Sequence, residues 1–265
     1  MIFFPKKSLG QNFLLNKDII KNIVELGKIN NQSTVIEIGP GTGSLTDEIL
    51  KQKPKKFIAI EKDNNLYIKL KNKYENKIEL INKDVLSIEW NKLSINNCLV
   101  YGNLPYNISS KILIDWIKLN NLNKLFSKLI LMFQKEVADR LVANVNSNKY
   151  GRLTILAEWK LKAKKIMDIT PDNFFPIPKV KSSLLFIKPR EKFYNFNNSK
   201  NLEKVTDIFF QNKRKMIKKP LNILFKDSSK VIKKLNLDYK CRPQNLDPLT
   251  YFNISKAYED QNNLN

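Results

Sequence analysis

The stretch Asn103-Leu104-Pro105-Tyr106 has the residue types and order for a specific piece of chemistry. A side-chain amide precedes a main-chain carbonyl, and the residue before proline is held extended. The Asn103 oxygen and the Leu104 carbonyl can therefore act as two neighbouring acceptors. Such a pair suits an amine with two N–H bonds, of which the exocyclic amine of adenine is the clearest case. That nitrogen is a poor nucleophile because its lone pair is delocalised into the ring. Accepting both hydrogens draws it toward tetrahedral geometry and aims the lone pair at an incoming methyl group. Pro105 stiffens the turn and Tyr106 offers an aromatic face to the base. The competing reading is a polar turn, since Asn and Pro are common turn formers. A second aromatic element, Asn173-Phe174-Phe175-Pro176-Ile177-Pro178-Lys179-Val180-Lys181-Ser182, is stiffened by two prolines. Phe174 is expected to close over the other face of a flipped-out base, where stacking is worth roughly 1–3 kcal/mol; the alternative is that Phe174 and Phe175 are core.

A methyl donor needs its own site. Glu37-Ile-Gly39-Pro-Gly41-Thr-Gly43 follows an apolar run and precedes a helix-like one. Glycines at 39, 41 and 43 let the backbone turn tightly and approach a ligand. Their spacing is Gly-x-Gly-x-Gly, unlike the Gly-x-Gly-x-x-Gly of dinucleotide enzymes, and alone it equally describes a structural turn. Glu61 ends the next apolar run, where a carboxylate can accept both ribose hydroxyls of a nucleoside. Asp84 ends the one after, placed to accept from an adenine amine. Each acid taken singly is as well read as a solvated charge. Three such features at successive strand ends describe a nucleoside lying across a sheet, and point to S-adenosylmethionine.

The elements that must position these residues are legible as an alternation. Strands are expected at Val35–Ile38, 57–60, 78–81, 99–102 and 129–133, with helices at 44–53, 64–74 and 109–119. This is the pattern of an α/β domain whose parallel sheet binds ligands at the carboxyl ends of its strands. After Pro189 the period becomes helical, with breaks at Pro220, Pro243 and Pro248. The expected division is a catalytic domain over 1–189 and a small helical, RNA-binding domain over 190–265, with Gln261 onward a frayed tail.

Composition limits the alternatives. The 265 residues contain no histidine, which removes His-based triads and an imidazole base. Cys98 and Cys241 lie far apart and fit no metal-ligand spacing, so no metal is expected. No apolar run reaches the roughly 18 residues of a membrane span, and a reduced, cytoplasmic protein is expected. Lys and Arg number 47 against 25 acids, a net charge of +22, which suits a nucleic-acid partner. The abundance of Asn, Lys and Ile also fits the codon bias of an AT-rich genome, so lysine number alone does not assign a binding site.

Assembled, these residues resemble the KsgA/RsmA family of small-subunit ribosomal RNA adenine dimethyltransferases. The resemblance runs from Lys7-Ser-Leu-Gly-Gln11-Asn12-Phe13-Leu14 through the glycine loop, Glu61, Asp84 and Asn103–Tyr106. It continues through Gln134-Lys-Glu-Val-Ala-Asp-Arg140, Tyr150-Gly-Arg-Leu153, the Phe174–Ser182 loop and Arg242-Pro-Gln-Asn-Leu246. It implies a Rossmann-like class I methyltransferase sheet, with S-adenosylmethionine as donor and S-adenosylhomocysteine as product. The implied substrate is two adjacent adenosines in the hairpin loop near the 3′ end of 16S rRNA, taken to the dimethyl form. A late role in small-subunit assembly follows, with a pre-30S particle as partner and a monomeric enzyme. By the same resemblance Asn12 and Leu14 touch the cofactor, and Gly39, Glu61, Asp84 and Asn103 complete its site. Residues 1–16 become a flexible segment serving cofactor and RNA, with Lys6 and Lys7 on the RNA. Lys213, Arg214, Lys215, Lys218 and Lys219 follow Phe210 as a basic stretch does in the family, and are assigned to phosphates; a solvated helix face is the other reading. The erythromycin-resistance branch, which modifies one adenine of large-subunit rRNA, shares Gly10–Leu14, but the Arg242–Leu246 stretch argues against it. A silent assembly or transcription factor of the same fold is countered by the intact Asn103–Tyr106 and Glu61.

Overall fold

The computed structural model describes residues 5, 6 and 9–263. Residues 1–4, Lys7 and Ser8 of the expected flexible segment, and residues 264 and 265 of the expected tail, lie outside the described residues. The strands are β1 (Phe13–Leu14), β2 (Thr34–Ile38), β3 (Lys56–Ile60), β4 (Glu79–Ile81), β5 (Cys98–Asn103), β6 (Phe126–Gln134), β7 (Leu161–Ile169), β8 (Phe174–Phe175) and β9 (Ser182–Pro189). The helices are α1 (Lys17–Glu25), α2 (Ser44–Lys51), α3 (Asn64–Tyr74), α4 (Ser109–Ile117), α5 (Leu122–Leu125), α6 (Lys135–Leu141), α7 (Arg152–Lys160), α8 (Lys200–Gln211), α9 (Lys218–Leu224), α10 (Ser228–Lys234) and α11 (Pro248–Asn263).

Seven strands form one sheet in the order β4-β3-β2-β5-β6-β9-β7. The five strands β2 to β6 pair in parallel, whereas β9 runs antiparallel to β6. The expected all-parallel sheet is thus mixed. A parallel neighbour needs a crossover, usually a helix, and β9 is reached from β7 through a loop holding only a 3-10 turn and β8. β7 went unread in the sequence because Lys162, Lys164, Lys165 and Asp168 interrupt its apolar residues, as suits an edge strand. The inner parallel strands β2, β3, β5 and β6 are buried on both faces, which explains their apolar runs, whereas β4 at the edge is half-exposed. On one face Val35, Phe57, Leu99, Ile130 and Leu184 pack with Ile20, Ile23 and Val24 of α1 and Leu45 and Ile49 of α2. The alternate residues Ile36, Ile58, Val100, Leu129 and Leu185 are equally buried. Helix α1 starts at Asn16, whose side chain accepts from the N–H groups of Asp18 and Ile19.

The chain divides into two compact units, one of Met1–Ala138 with Ala163–Pro189, the other of Asp139–Lys162 with Arg190–Asn265. Residues 139–162, placed by sequence with the first domain, pack instead with the carboxy-terminal helices. The Tyr150 hydroxyl donates to the Leu246 carbonyl at 2.9 Å, and Arg152 pairs with Asp207 at 3.0 Å. Tyr251 stacks edge-on to Phe209 and donates to the Pro243 carbonyl at 2.7 Å. Pro220 does not break a helix: it sits in the first turn of α9, where its missing N–H has no helical partner to lose. Gln261, expected in a frayed tail, lies in α11 and bonds Lys226 and Leu224. Among the described residues no helix is long and apolar enough to cross a membrane.

Candidate active site

At the carboxyl ends of β2, β3 and β5 the first unit encloses a cavity of about 280 Å³. Gly39, Gly41, Glu61, Asp84, Asn103, Asn12 and Leu14 all line it, so seven of the eight expected cofactor residues converge on one space. The exception is Gly43. All three loop glycines have positive φ, 66°, 60° and 87° in turn, but their surroundings differ. A β-carbon at Gly39 would meet nothing within 4 Å and would point into open space, whereas at Gly43 it would collide with the Tyr74 hydroxyl. That hydroxyl is shared between the Gly43 carbonyl, at 3.0 Å, and Asp47, at 2.8 Å. Gly43 therefore caps α2 against α3, a structural task.

Burial sets the electrostatics. One Glu61 carboxylate oxygen accepts from the Gly41 N–H at 3.2 Å and the other from the Asp63 N–H at 2.8 Å. Burial nevertheless raises its pKa above the usual carboxylate range. Glu37, which sequence alone leaves without a role, is fully enclosed, and burial pushes its pKa up to about 8 even though Thr46 donates to it at 2.6 Å. Both acids line the cavity, where Glu37 stands protonated at neutral pH and Glu61 offers acceptor oxygens. Asp84 behaves differently. Burial acts to raise its pKa, but bonds from Lys62 at 2.8 Å and the Leu86 N–H at 2.9 Å outweigh it and hold the carboxyl low.

The Asn103 side-chain nitrogen donates to the Asn12 carbonyl at 2.6 Å. This fixes the amide plane and leaves its oxygen as the acceptor. Leu104 is anchored by a fully buried side chain, and the Pro105 carbonyl accepts from the N–H groups of Ile108 and Ser109, starting α4. Pro105 lines the cavity; Leu104, Tyr106 and Phe174 do not. The Tyr106 hydroxyl is 2.5 Å from that of Ser182, which ties the turn to the start of β9 and fixes the ring.

Phe174, expected to close over a base, lies in the core at 1% exposure, while its neighbour Phe175 is 53% exposed. The reason is strand alternation. β1 and β8 form a two-stranded antiparallel ribbon with Phe13 opposite Phe175 and Leu14 opposite Phe174. Directly opposed residues share a face, so Leu14 and Phe174 point into the core together, and Phe13 and Phe175 share the other face.

A family model, ribosomal RNA adenine dimethylase, matches residues 3–260. The chain belongs to that family. It is 50% identical over 260 residues to ribosomal RNA small subunit methyltransferase A of Pelagibacter ubique (strain HTCC1062), covering 98% of this chain and 99% of the relative. It is 41% identical to the protein of that name from Wolbachia sp. subsp. Brugia malayi (strain TRS), over 91% and 93% of the two chains. A solved dimethyladenosine transferase from Plasmodium falciparum superposes with a TM-score of 0.81 at 28% identity, over 94% and 98% of the chains. The α/β sheet described above is accordingly that of a class I methyltransferase.

In this dimethylase the expected RNA-contacting residues have different fates. Lys6 is engaged by Asp63 at 2.9 Å. Lys213 donates to the carbonyls of Asn148 and Tyr150 at 2.7 and 2.8 Å, stapling the second unit internally. Arg214, Lys215, Lys218 and Lys219 are exposed, and the three lysines share a surface concavity with Met216 and Ile223. Sequence reasoning missed Glu37 and Asp63, which look like ordinary acids until their burial is known. It also missed Gln11, Lys62 and Asn107 at the cavity.

Proposed function

We propose that this dimethylase transfers methyl groups from S-adenosylmethionine to the N6 amines of two adjacent adenosines in the 3′-terminal hairpin loop of 16S rRNA. The cavity's donor and acceptor set fits that cofactor. Glu61 stands where ribose hydroxyls need an acceptor, Asp84 where an adenine amine does, and Gly39 leaves the space of a missing side chain. The Glu61 carboxylate beside the glycine loop would repel the phosphates of an anionic dinucleotide, whereas a sulfonium cofactor carries none. When bound, S-adenosylmethionine supplies an electrophilic methyl group on a sulfonium.

The chain's own residues prepare the amine. The Asn103 oxygen and the Leu104 carbonyl accept its two hydrogens, and these bonds strengthen as positive charge develops on nitrogen during attack. Tyr106, its hydroxyl held by Ser182, presents a fixed ring to the base. Phe174 packs on Leu14 and so keeps the Asn12 carbonyl, which orients Asn103, in place; the exposed ring of Phe175 is available to RNA. The exposed Arg214, Lys215, Lys218 and Lys219 contact phosphates. The enzyme works as a cytoplasmic monomer on an assembling pre-30S particle. The single observation carrying this reading is the Asn103 amide at the cavity wall, locked by Asn12 with its oxygen left to accept.

The test is mass spectrometry of rRNA after incubation with S-adenosylmethionine. Separate reactions would hold naked 16S rRNA, 23S rRNA and undermethylated 30S particles. Dimethyladenosine at two adjacent positions of the small-subunit RNA is the expected product. Product confined to 23S rRNA would move the protein to the erythromycin-resistance branch, and no product from any substrate would make it a silent factor.

A further inference from the structure

Asp63 is a buried acid just beyond Glu61, and nothing in the chemistry above uses it. Its side chain is fully enclosed where it meets Lys6. One carboxylate oxygen accepts from the Lys6 ammonium at 2.9 Å and from the Asn65 N–H at 2.9 Å; the other accepts from the Gln11 amide at 3.0 Å. Gln11 in turn accepts from the Lys6 N–H at 2.7 Å. Lys6, Gln11 and Asp63 thus form a closed set of bonds joining the amino-terminal segment to the loop after β3.

The segment that leaves this set forms a wall of the cavity. Leu9 to Leu14 line it without a break. Asn12 is held next by Asn103, and β1 then pairs with β8. The strap is therefore fastened at Asp63, at Asn103 and along β8, and the Asp63 fastening is the one beside the carboxylate read as binding the nucleoside. Asp63 also supplies the N–H that orients one oxygen of Glu61. One residue connects the covering strap and the ribose acceptor.

We propose that Asp63 is a positioning residue, clasping Lys6 and Gln11 so that the strap closes over S-adenosylmethionine. The inference rests on the reading of the cavity as the site of that cofactor. A buried carboxylate needs its partners: removing the cation leaves a charge with little water to replace it. Lys6 itself keeps 42% of its side chain open to solvent, so the enclosed carboxylate and the Gln11 bond hold the strap together with the ion pair. Because closure and cofactor binding share contacts, each favours the other.

The plain alternative is that Asp63 only caps α3 through the Asn65 N–H. Lys6→Met with Gln11→Ala leaves that cap untouched and removes the clasp. Asp63→Asn keeps a competent capping oxygen but loses the charge. Calorimetry of S-adenosylmethionine binding, with limited proteolysis of the strap in the presence and absence of cofactor, separates the readings. Expected is a rise of roughly tenfold in Kd for either variant, on the scale of one charge-assisted bond, with loss of the protection that cofactor gives the strap. The combined triple variant should be no worse than either, since all act on one fastening. Unchanged affinity and protection in the Lys6→Met, Gln11→Ala protein would overturn the clasp. Absence of binding by the wild-type protein would instead overturn the cavity's assignment.

Discussion

Single side chains carry the chemistry, and two buried acids show how differently the same group can be used. Glu61 has hydrogen-bond donors on both oxygens; Glu61→Ala should weaken S-adenosylmethionine binding by about 1.5–3 kcal/mol with RNA affinity nearly unaltered. Calorimetry decides it, and unchanged affinity would make Glu61 a bystander. Glu37 is enclosed with its pKa raised from the ordinary 4.5 to about 8. An acid raised in the folded state keeps its proton while the unfolded chain loses one. Stability is therefore unaffected by this group below about pH 4.5, and the penalty grows as pH climbs toward about 8. Glu37→Gln, which can still accept from Thr46, should raise the Tm of the unliganded protein at pH 7 and make no difference at pH 4. A Tm shift independent of pH would show that Glu37 does not titrate in this way.

At the scale of elements, the ribbon of β1 and β8 puts its adjacent aromatics on opposite faces, Phe174 in the core and Phe175 exposed. Phe174→Ala opens the core beside Leu14 and should cost about 3–5 kcal/mol of stability. Phe175→Ala should leave denaturant midpoints unchanged and weaken RNA binding; equal destabilisation by both would contradict the two-faced ribbon. Sequence alone does not separate these adjacent residues, because their facing depends on the pairing of β8 with a strand about 160 positions earlier. The parallel core strands were readable since burial on both faces writes unbroken apolar runs such as Val35–Ile38 and 57–60. The edge strand β7 was not, its lysines resembling a solvated surface. Strand-end residues Gly39, Glu61, Asp84 and Asn103 were legible because a turn and a polar residue following an apolar run mark a position in any such sheet. Gly43 shared the motif and not the task, as only the approach of Tyr74 from α3 reveals.

Across the whole molecule, the exposed basic cluster lies in the second unit, while the cavity lies in the first. The second unit exposes Arg214, Lys215, Lys218 and Lys219 while Lys213 is consumed internally. Replacing those four with Ala should lower the slope of log affinity against log salt by about 0.7–0.9 for each phosphate that is no longer neutralised. Lys213→Ala should instead reduce thermal stability and leave that slope alone. The chemistry proposed above centres on delivery of one adenine amine to Asn103, and single-turnover methylation by Asn103→Ala on unmodified and monomethylated RNA measures that step most directly. Removing one of two preorganised acceptors should slow the first transfer by roughly 100-fold or more while RNA binding survives. The second transfer, whose amine has a single N–H left, should be slowed less. A near-normal first transfer in the variant would contradict the acceptor pair at the centre of the proposed chemistry.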